Sequence, residues 1–284
     1  MNKIKIAVTG ANGQLGQNLK RWYQSQKSQQ EWHFFSSAEL DITKKDQLKK
    51  NFNVHSKFDY IINCAAYTKV DQAESEIESA EKINGLAVKE LARVCEQSDI
   101  ILIHISTDFV FEGNIARPLT ETDCTNPINV YGRSKLLGEK ELKTQLEKHF
   151  ILRTGWLYSD LGKNFFTTIQ KLAREKEELK VVFDQAGTPT HVSVLIQAIL
   201  KIIETRSTAF GTYHIANEGL ASWYDFAYEI LQFSKISTPL IPVLSSEFLT
   251  PAKRPHFSVL DKSKFKKEFK VEIPHWKESL KTCF

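Results

Sequence analysis

The stretch Thr9-Gly10-Ala11-Asn12-Gly13-Gln14-Leu15-Gly16 constrains this chain more than any other. It follows the alternating segment Ile4-Lys5-Ile6-Ala7-Val8 directly and runs into a helical pattern from Gln14 to about Gln24. Each glycine at that junction has its own use. Gly10 permits a tight turn, Gly13 lets the backbone approach a pyrophosphate, and Gly16 lets the helix lie close to a sheet. The helix N-terminus adds free N–H groups and the positive end of a dipole. The spacing is GxxGxxG rather than GxGxxG, and a bare glycine triplet is a weak signal. Its place between a first strand and a first helix favours dinucleotide binding over a purely structural turn, with Asn12, Gln14 and Leu15 in the same candidate loop.

The first half of the chain goes on alternating. Residues 32–35, 59–63 and 100–105 read as strands, with helical stretches at 44–52 and, with a break, about 70–97. The run Ile100-Ile101-Leu102-Ile103-His104-Ile105 is nearly all apolar, as in a strand buried on both faces. Strands spaced this way predict βαβ units and an α/β, Rossmann-type, doubly wound parallel sheet. A loop rich in Pro, Gly, Thr, Asp and Asn fills 112–127, and a helix over about 130–146 and a strand at 149–153 follow. Beyond Thr154 the regular alternation decays. The pattern predicts a dinucleotide-binding Rossmann domain over 1–153 and a smaller, mainly substrate-binding domain over 154–284, with at least one later strand returning to the main sheet.

Charge and cysteine use narrow the class. Thirty-eight Lys+Arg against 34 Asp+Glu leave a net charge of only +4, too weak and too evenly mixed to argue for nucleic acid as a partner. Cys64, Cys95, Cys124 and Cys283 lie far apart, with no CxxC pair, so neither a disulfide framework nor a structural zinc site is expected. No apolar run approaches the roughly 20 residues that span a bilayer, and the N-terminus enters a strand pattern without the apolar core of a signal peptide. A cytoplasmic location, with no membrane partner, is the expectation.

Further positions carry chemistry. The strand-2 end, Phe35-Ser36-Ser37, has no acidic residue where NAD-specific folds often bind the ribose 2′-hydroxyl, and its two small hydroxyls leave room for a 2′-phosphate. Asp41, followed by Ile42, can accept from an adenine amino group or cap the next helix. Tyr131-Gly132-Arg133-Ser134-Lys135 sets Tyr and Lys four apart on one helical face. With 8 Tyr in the chain, about one such pair arises by chance. Location decides, because this pair follows a strand that ends in Ser106-Thr107-Asp108, and the ends of parallel strands are where α/β ligands bind. In that set Lys135⁺ lowers the Tyr131 pKa and holds a nicotinamide ribose, while Thr107 hydrogen-bonds the reacting oxygen.

Together the glycine loop and the Tyr131/Lys135 pair resemble the extended short-chain dehydrogenase/reductase superfamily. Asn63-Cys64-Ala65-Ala66-Tyr67-Thr68, Ser106-Thr107-Asp108-Phe109-Val110-Phe111, Leu152-Arg153-Thr154-Gly155-Trp156, Asp184-Gln185-Ala186-Gly187-Thr188-Pro189 and Arg254-Pro255 narrow the likeness to its dTDP-4-dehydrorhamnose reductase family, from residue 4 to about 261. The resemblance implies NADPH-dependent reduction of the C4 ketone of dTDP-4-dehydro-L-rhamnose, with NADP(H) as cofactor and NAD(H) left open. It implies Thr107, Tyr131 and Lys135 as the catalytic triad and Asp108 touching the sugar. Ala65, Ala66, Tyr67, Thr68 and Ser106 would lie along the cofactor. Trp156 would wall the sugar pocket or serve as a core aromatic, and Arg254 would meet a phosphate or the nucleotide or remain a surface charge. Phe109 stands where the family usually has Tyr, and Gly155 where it commonly has Ser. Some members bind magnesium between subunits, which leaves a homodimer open; no acidic cluster in this chain demands a metal. A non-catalytic regulatory subunit resembling the methionine adenosyltransferase β subunit, and a nucleotide-sugar epimerase or other reductase, are the alternatives.

Overall fold

Strand β1 (Lys5–Thr9) lies inside a six-stranded sheet, with Ile6, Ala7 and Val8 fully buried. The computed structural model describes residues 3–26 and 30–284. After β1 come α1 (Gln14–Ser25), β2 (Glu31–Phe35), α2 (Lys45–Asn51), β3 (Tyr60–Asn63), α3 (Val70–Ala73) and α4 (Ile77–Glu81). A π-helical turn, Lys82–Leu86, leads into α5 (Ala87–Gln97), β4 (Ile101–Thr107), α6 (Val130–Gln145) and β5 (His149–Thr154). The later half adds β6 (Leu157–Tyr158), α7 (Phe165–Glu175), β7 (Leu179–Val182), β8 (Ala186–Gly187), β9 (Thr190–His191) and α8 (Val192–Glu204). It closes with β10 (Gly211–His214), β11 (Ala221–Ser222), α9 (Trp223–Ser234), β12 (Leu240–Val243), α10 (Ser263–Phe269) and α11 (Trp276–Lys281).

The main sheet has the order β10-β5-β4-β3-β1-β2, and every pairing in it is parallel. Strand order reverses between β1 and β3, so the loops leaving their C-terminal ends diverge and open a crevice. Alternate strand residues face opposite layers. Ile6, Val8, Ile62, Ile103 and Leu152 pack with Leu15 and Leu19 of α1 and with the apolar face of α8. Ala7, Ile61, Leu102 and Ile151 pack with Leu48, Leu91 and Leu142 on the other side. The chain after residue 153 thus supplies both a strand and a helix to the main layers. A separate core around Tyr158, Phe166, Phe226 and Trp276 supports the smaller later elements.

The break in the 70–97 stretch falls at residues 74–76, between α3 and α4, and the π-helical turn joins α4 to α5 without interruption. Asn84 within that turn is buried; its Oδ1 accepts from Tyr67 N, and its Nδ2 donates to Tyr67 O and Ser134 Oγ. One side chain thereby ties the loop after β3 to α6. The start of α6 is equally determined: Asn129 Oδ1 accepts from Gly132 N at 2.7 Å, and the Glu74 carboxylate accepts from Val130 N at 2.8 Å. Helix α6 therefore begins one residue before Tyr131.

Candidate active site

The glycine loop closes on itself where β1 ends. Gly10 has φ +67°, and a Cβ there would lie 2.6 Å from Ala65 N, so only glycine fits between β1 and the loop after β3. A Cβ on Gly16 would lie 2.5 Å from the Gly10 carbonyl oxygen, which keeps α1 tight on the turn. Above Gly13 the space is open, apart from that same oxygen at 3.2 Å. Helix α1 has no side-chain cap and no acidic residue in its first turn, so its leading N–H groups and dipole are left for an anion. The loop fits a dinucleotide pyrophosphate. Asn12 and Gly13 are exposed; Gln14 Nε2 reaches Leu157 O and Ser159 Oγ, and Leu15 is a core residue whose side chain faces away from the cleft.

The strand-2 end differs from expectation. Glu39, three residues on, folds back so that its Oε2 accepts from both Ser36 N and Ser36 Oγ, at 2.8 and 2.7 Å. A carboxylate that spacing along the strand did not reveal thus stands at the serines, and Ser36 is not a free hydroxyl. Asp41 Oδ1 accepts from Thr43 N and Oγ1, a local turn that precedes α2. The side chain of Ile42 belongs to the core.

Thr107 ends β4, and Tyr131 and Lys135 sit on the first turns of α6. Phe109 meets the Tyr131 ring edge-to-face at 5.9 Å, which orients it. Crowding around the Tyr131 hydroxyl pushes its pKa up to about 12, against the pull of the Thr107 hydroxyl. This corrects the expected lowering: burial, with the Asp108 charge, sets the direction. The direction suits a proton donor, which must hold its proton until it is needed. Lys135 is 2% exposed, and burial brings its amine down to about 8 although Glu139 and Cys64 act the other way. Its Nζ donates to Ile105 O at 2.6 Å.

Thr107 Oγ1 donates to Asp108 Oδ1 at 3.0 Å, and buried Asp108 Oδ2 makes no well-formed hydrogen bond, although the buried Ser258 hydroxyl acts on the carboxyl. Burial raises this carboxyl to about 6. A Cβ on Gly155 would come within 2.6 Å of it, so glycine at that position makes room for Asp108. The Ser106 hydroxyl is spent beneath the site instead of facing the cofactor cleft. It donates to Glu139 Oε1 at 2.6 Å, and Arg153 grips the same carboxylate through Nε and Nη2 at 2.9 and 2.6 Å. This bidentate pair clamps α6 to β5. Beyond β3, Ala65 N donates to Asn63 Oδ1, Ala66 and Tyr67 are half-buried, and Thr68 is exposed.

A cavity of about 920 Å³ opens in the later half, lined among others by Asp71, Phe165, Gln185, Trp223, Thr250 and Arg254. Arg254 Nη2 donates to Asp71 Oδ2 at 2.9 Å, so the arginine is held at the cavity rim by the loop after β3. Next to it, Asn129 Nδ2 donates to Lys253 O, joining the rim to the α6 cap. Trp156 stacks directly on Trp223, which lines the cavity and donates through Nε1 to Gln185 Oε1. Trp223 and Phe165 went unmarked in the sequence because no local pattern ties them to the strand ends, and Asp71 stands in the same family segment as Ala65–Thr68 without a role read for it. A second groove, about 970 Å³, lies beside Lys5, Tyr60 and Ile101 where the strands begin. It contains none of these residues and lies at the wrong end of a parallel sheet for a ligand of this fold.

The family described as RmlD substrate binding domain matches residues 4–284. The dTDP-4-dehydrorhamnose reductase of Aggregatibacter actinomycetemcomitans is 39% identical over 289 residues, covering 98% of this chain and 97% of the relative. The spore coat polysaccharide biosynthesis protein SpsK of Bacillus subtilis is 36% identical, covering 98% and 95%. A crystal structure of dTDP-4-dehydrorhamnose reductase from Bacillus anthracis, in complex with NADP, is 37% identical and superposes with a TM-score of 0.95 over 100% of this chain and 99% of that one.

Proposed function

The chain belongs to the dTDP-4-dehydrorhamnose reductase family, and from that premise we propose that it reduces the C4 ketone of dTDP-4-dehydro-L-rhamnose to dTDP-L-rhamnose through Thr107, Tyr131 and Lys135. What supports this reading is that Thr107 ends β4 and Tyr131 and buried Lys135 lie on the first turns of α6, two strands from the open glycine loop.

NADPH bound over the glycine loop supplies the hydride. The N–H groups at the start of α1 hold its pyrophosphate, and the Lys135 amine holds the ribose. As charge gathers on the ketone oxygen, the Tyr131 hydroxyl gives it a proton, and the Thr107 hydroxyl, rotating away from Asp108 Oδ1, donates a hydrogen bond to it. The resulting phenolate takes its proton back from Lys135 by way of water, and solvent restores the lysine. Asp108 Oδ2, which makes no well-formed hydrogen bond in the free protein, accepts from a sugar hydroxyl. Arg254 meets the diphosphate, Trp156 backs the aromatic wall, and Asp41 stands by the adenine.

We assign residues 1–153 to the cofactor unit and most of 154–284 to the substrate unit, with α8 and β10 as the exceptions. Among the described residues no helix is long and apolar enough to cross a membrane, and we place the protein in the cytoplasm. A homodimer is the assembly that family likeness suggests, and sedimentation velocity tests it.

The deciding experiment is NADPH consumption with enzymatically prepared dTDP-4-dehydro-L-rhamnose, run beside UDP- and GDP-linked ketosugars. Turnover of the dTDP compound alone supports the assignment. Absence of any turnover favours a non-catalytic, cofactor-binding subunit.

A further inference from the structure

A buried polar chain runs across the sheet behind Lys135. Thr9 at the end of β1, Asn63 at the end of β3, His104 on β4 and Lys135 on α6 are each at least nine-tenths buried. Thr9 Oγ1 donates to Asn63 Oδ1 at 2.7 Å, and Ala65 N–H donates to the same oxygen at 3.2 Å. A backbone N–H can only donate, so it fixes which end of the Asn63 amide is oxygen. The amide nitrogen then faces His104 Nδ1 at 3.0 Å, and Nδ1 must accept.

That contact decides the tautomer. Burial, followed by the nearby charges of Lys135 and His149, holds the His104 pKa well below its usual value, so the ring is neutral. A neutral imidazole whose Nδ1 accepts carries its hydrogen on Nε2. Nε2 lies 3.4 Å from Lys135 Nζ. An ammonium offers only donors and cannot accept from Nε2–H, whereas a neutral amine can accept through its lone pair. The Ile105 carbonyl accepts from Nζ in either state.

The other groups around Lys135 leave this contact in control. Cys64, at the end of β3, is pushed up to about 12 by burial and keeps its proton. Glu139, one turn along α6, is committed to Arg153 and Ser106. Tyr131, one turn back, is protonated, and Asp108 lies on the Tyr131 side. His149 of β5 lies on the His104 side.

We propose that His104 is a positioning residue for the reduction: its Nε2–H, aimed by Asn63, stabilises the Lys135 amine in the neutral form left after the lysine has returned a proton to Tyr131. The inference rests on the role given to Lys135 above. In the step, an N–H bond of Lys135⁺ breaks and the Tyr131 O–H re-forms through water. The freed lone pair accepts from His104, and a solvent proton then recharges the amine. A group titrating near 8 is suited to relay protons near neutrality.

Long-range ¹H–¹⁵N NMR of histidine-labelled protein without ligand reads the tautomer directly. His104 is expected neutral, with its proton on Nε2, between about pH 6 and about pH 9. A proton on Nδ1, or a charged ring in that window, overturns the proposal. This readout needs no substrate, so its failure is distinct from failure of the reductase assignment. A second arm compares His104→Gln, whose amide can accept from Asn63 and donate to Lys135, with His104→Leu, which can do neither. The basic limb of kcat, and of NADPH binding, should stay near that of the wild type in His104→Gln. It should move up by about one pH unit in His104→Leu, because the neutral amine loses its donor. Coincident limbs in the two variants overturn the proposal as well.

Discussion

Trp156 and Trp223 lie face to face, with ring centroids 3.4 Å apart and planes within 2° of parallel. Trp156 holds φ +51°, a left-handed conformation that is costly for so bulky a residue and persists only where packing over-determines it. The stack, with the Phe165 ring tilted against Trp223 at 4.6 Å, builds a stiff aromatic wall for the 920 Å³ cavity. Trp223→Ala should raise KM for the nucleotide sugar by about 10-fold, roughly 1–2 kcal/mol of lost aromatic contact, with NADPH affinity unchanged. Steady-state kinetics and direct NADPH titration check this together, and an unchanged KM would remove the wall from the substrate site.

Tyr131→Phe removes one hydroxyl and leaves the edge-to-face contact with Phe109 in place. Folding and NADPH affinity should survive. The ketone oxygen loses its proton donor but keeps Thr107, so kcat should fall by about 10²–10⁴-fold with KM little changed. Lys135→Ala should damage both rate and cofactor binding. Near wild-type turnover by Tyr131→Phe would show that the proton comes from elsewhere.

Cofactor choice turns on Glu39. Its carboxylate sits on Ser36, where a 2′-phosphate would come, and like charges there disfavour NADPH relative to a bare serine pair. The wild type should still use NADPH at least as well as NADH. Glu39→Gln should raise the kcat/KM ratio of NADPH to NADH by about 3- to 10-fold, a small effect because the group is exposed and screened. Gly13→Val, by contrast, fills the open space over the loop and should weaken both cofactors equally. A ratio that does not move in Glu39→Gln places the 2′-phosphate away from this turn.

The buried Asp108 carboxyl makes stability depend on pH. Its folded pKa, about 6, is raised from 3.8, so the folded protein binds this proton more tightly than the unfolded chain. Stability from this group therefore declines as pH climbs from about 4 through about 6, and the cost stays in place above that. Asp108→Asn keeps the acceptor for Thr107 and removes the charge. It should stabilise the ligand-free protein at pH 7.5 by about 1–3 kcal/mol, with no gain at about pH 4, while activity drops. Thermal melts at the two pH values read this out, and equal melting temperatures for variant and wild type at pH 7.5 would contradict it.

Local pattern, read with its place in the strand–helix order, made the glycine turn, the parallel strands and the Tyr131/Lys135 pair legible, because a turn, a strand and an i, i+4 helical face are properties of neighbouring residues. Thr107 was legible for the same reason, two residues past the end of the apolar run at Ile105. Tertiary structure decided the rest. The Arg254–Asp71 pair joins residues 183 apart, and the Asn63–His104 contact joins residues 41 apart. Neither follows from spacing along the chain, since strand order in the sheet selects which strand ends become neighbours. The tryptophan stack, the bidentate Arg153–Glu139 clamp and the carboxylate on Ser36 arise in the same way, from elements or loops brought together by folding. The Tyr131 hydroxyl shows the difference most directly. Sequence placed a cation beside it, but the direction of its pKa was set by how much protein surrounds it, and burial is a property of the packed fold.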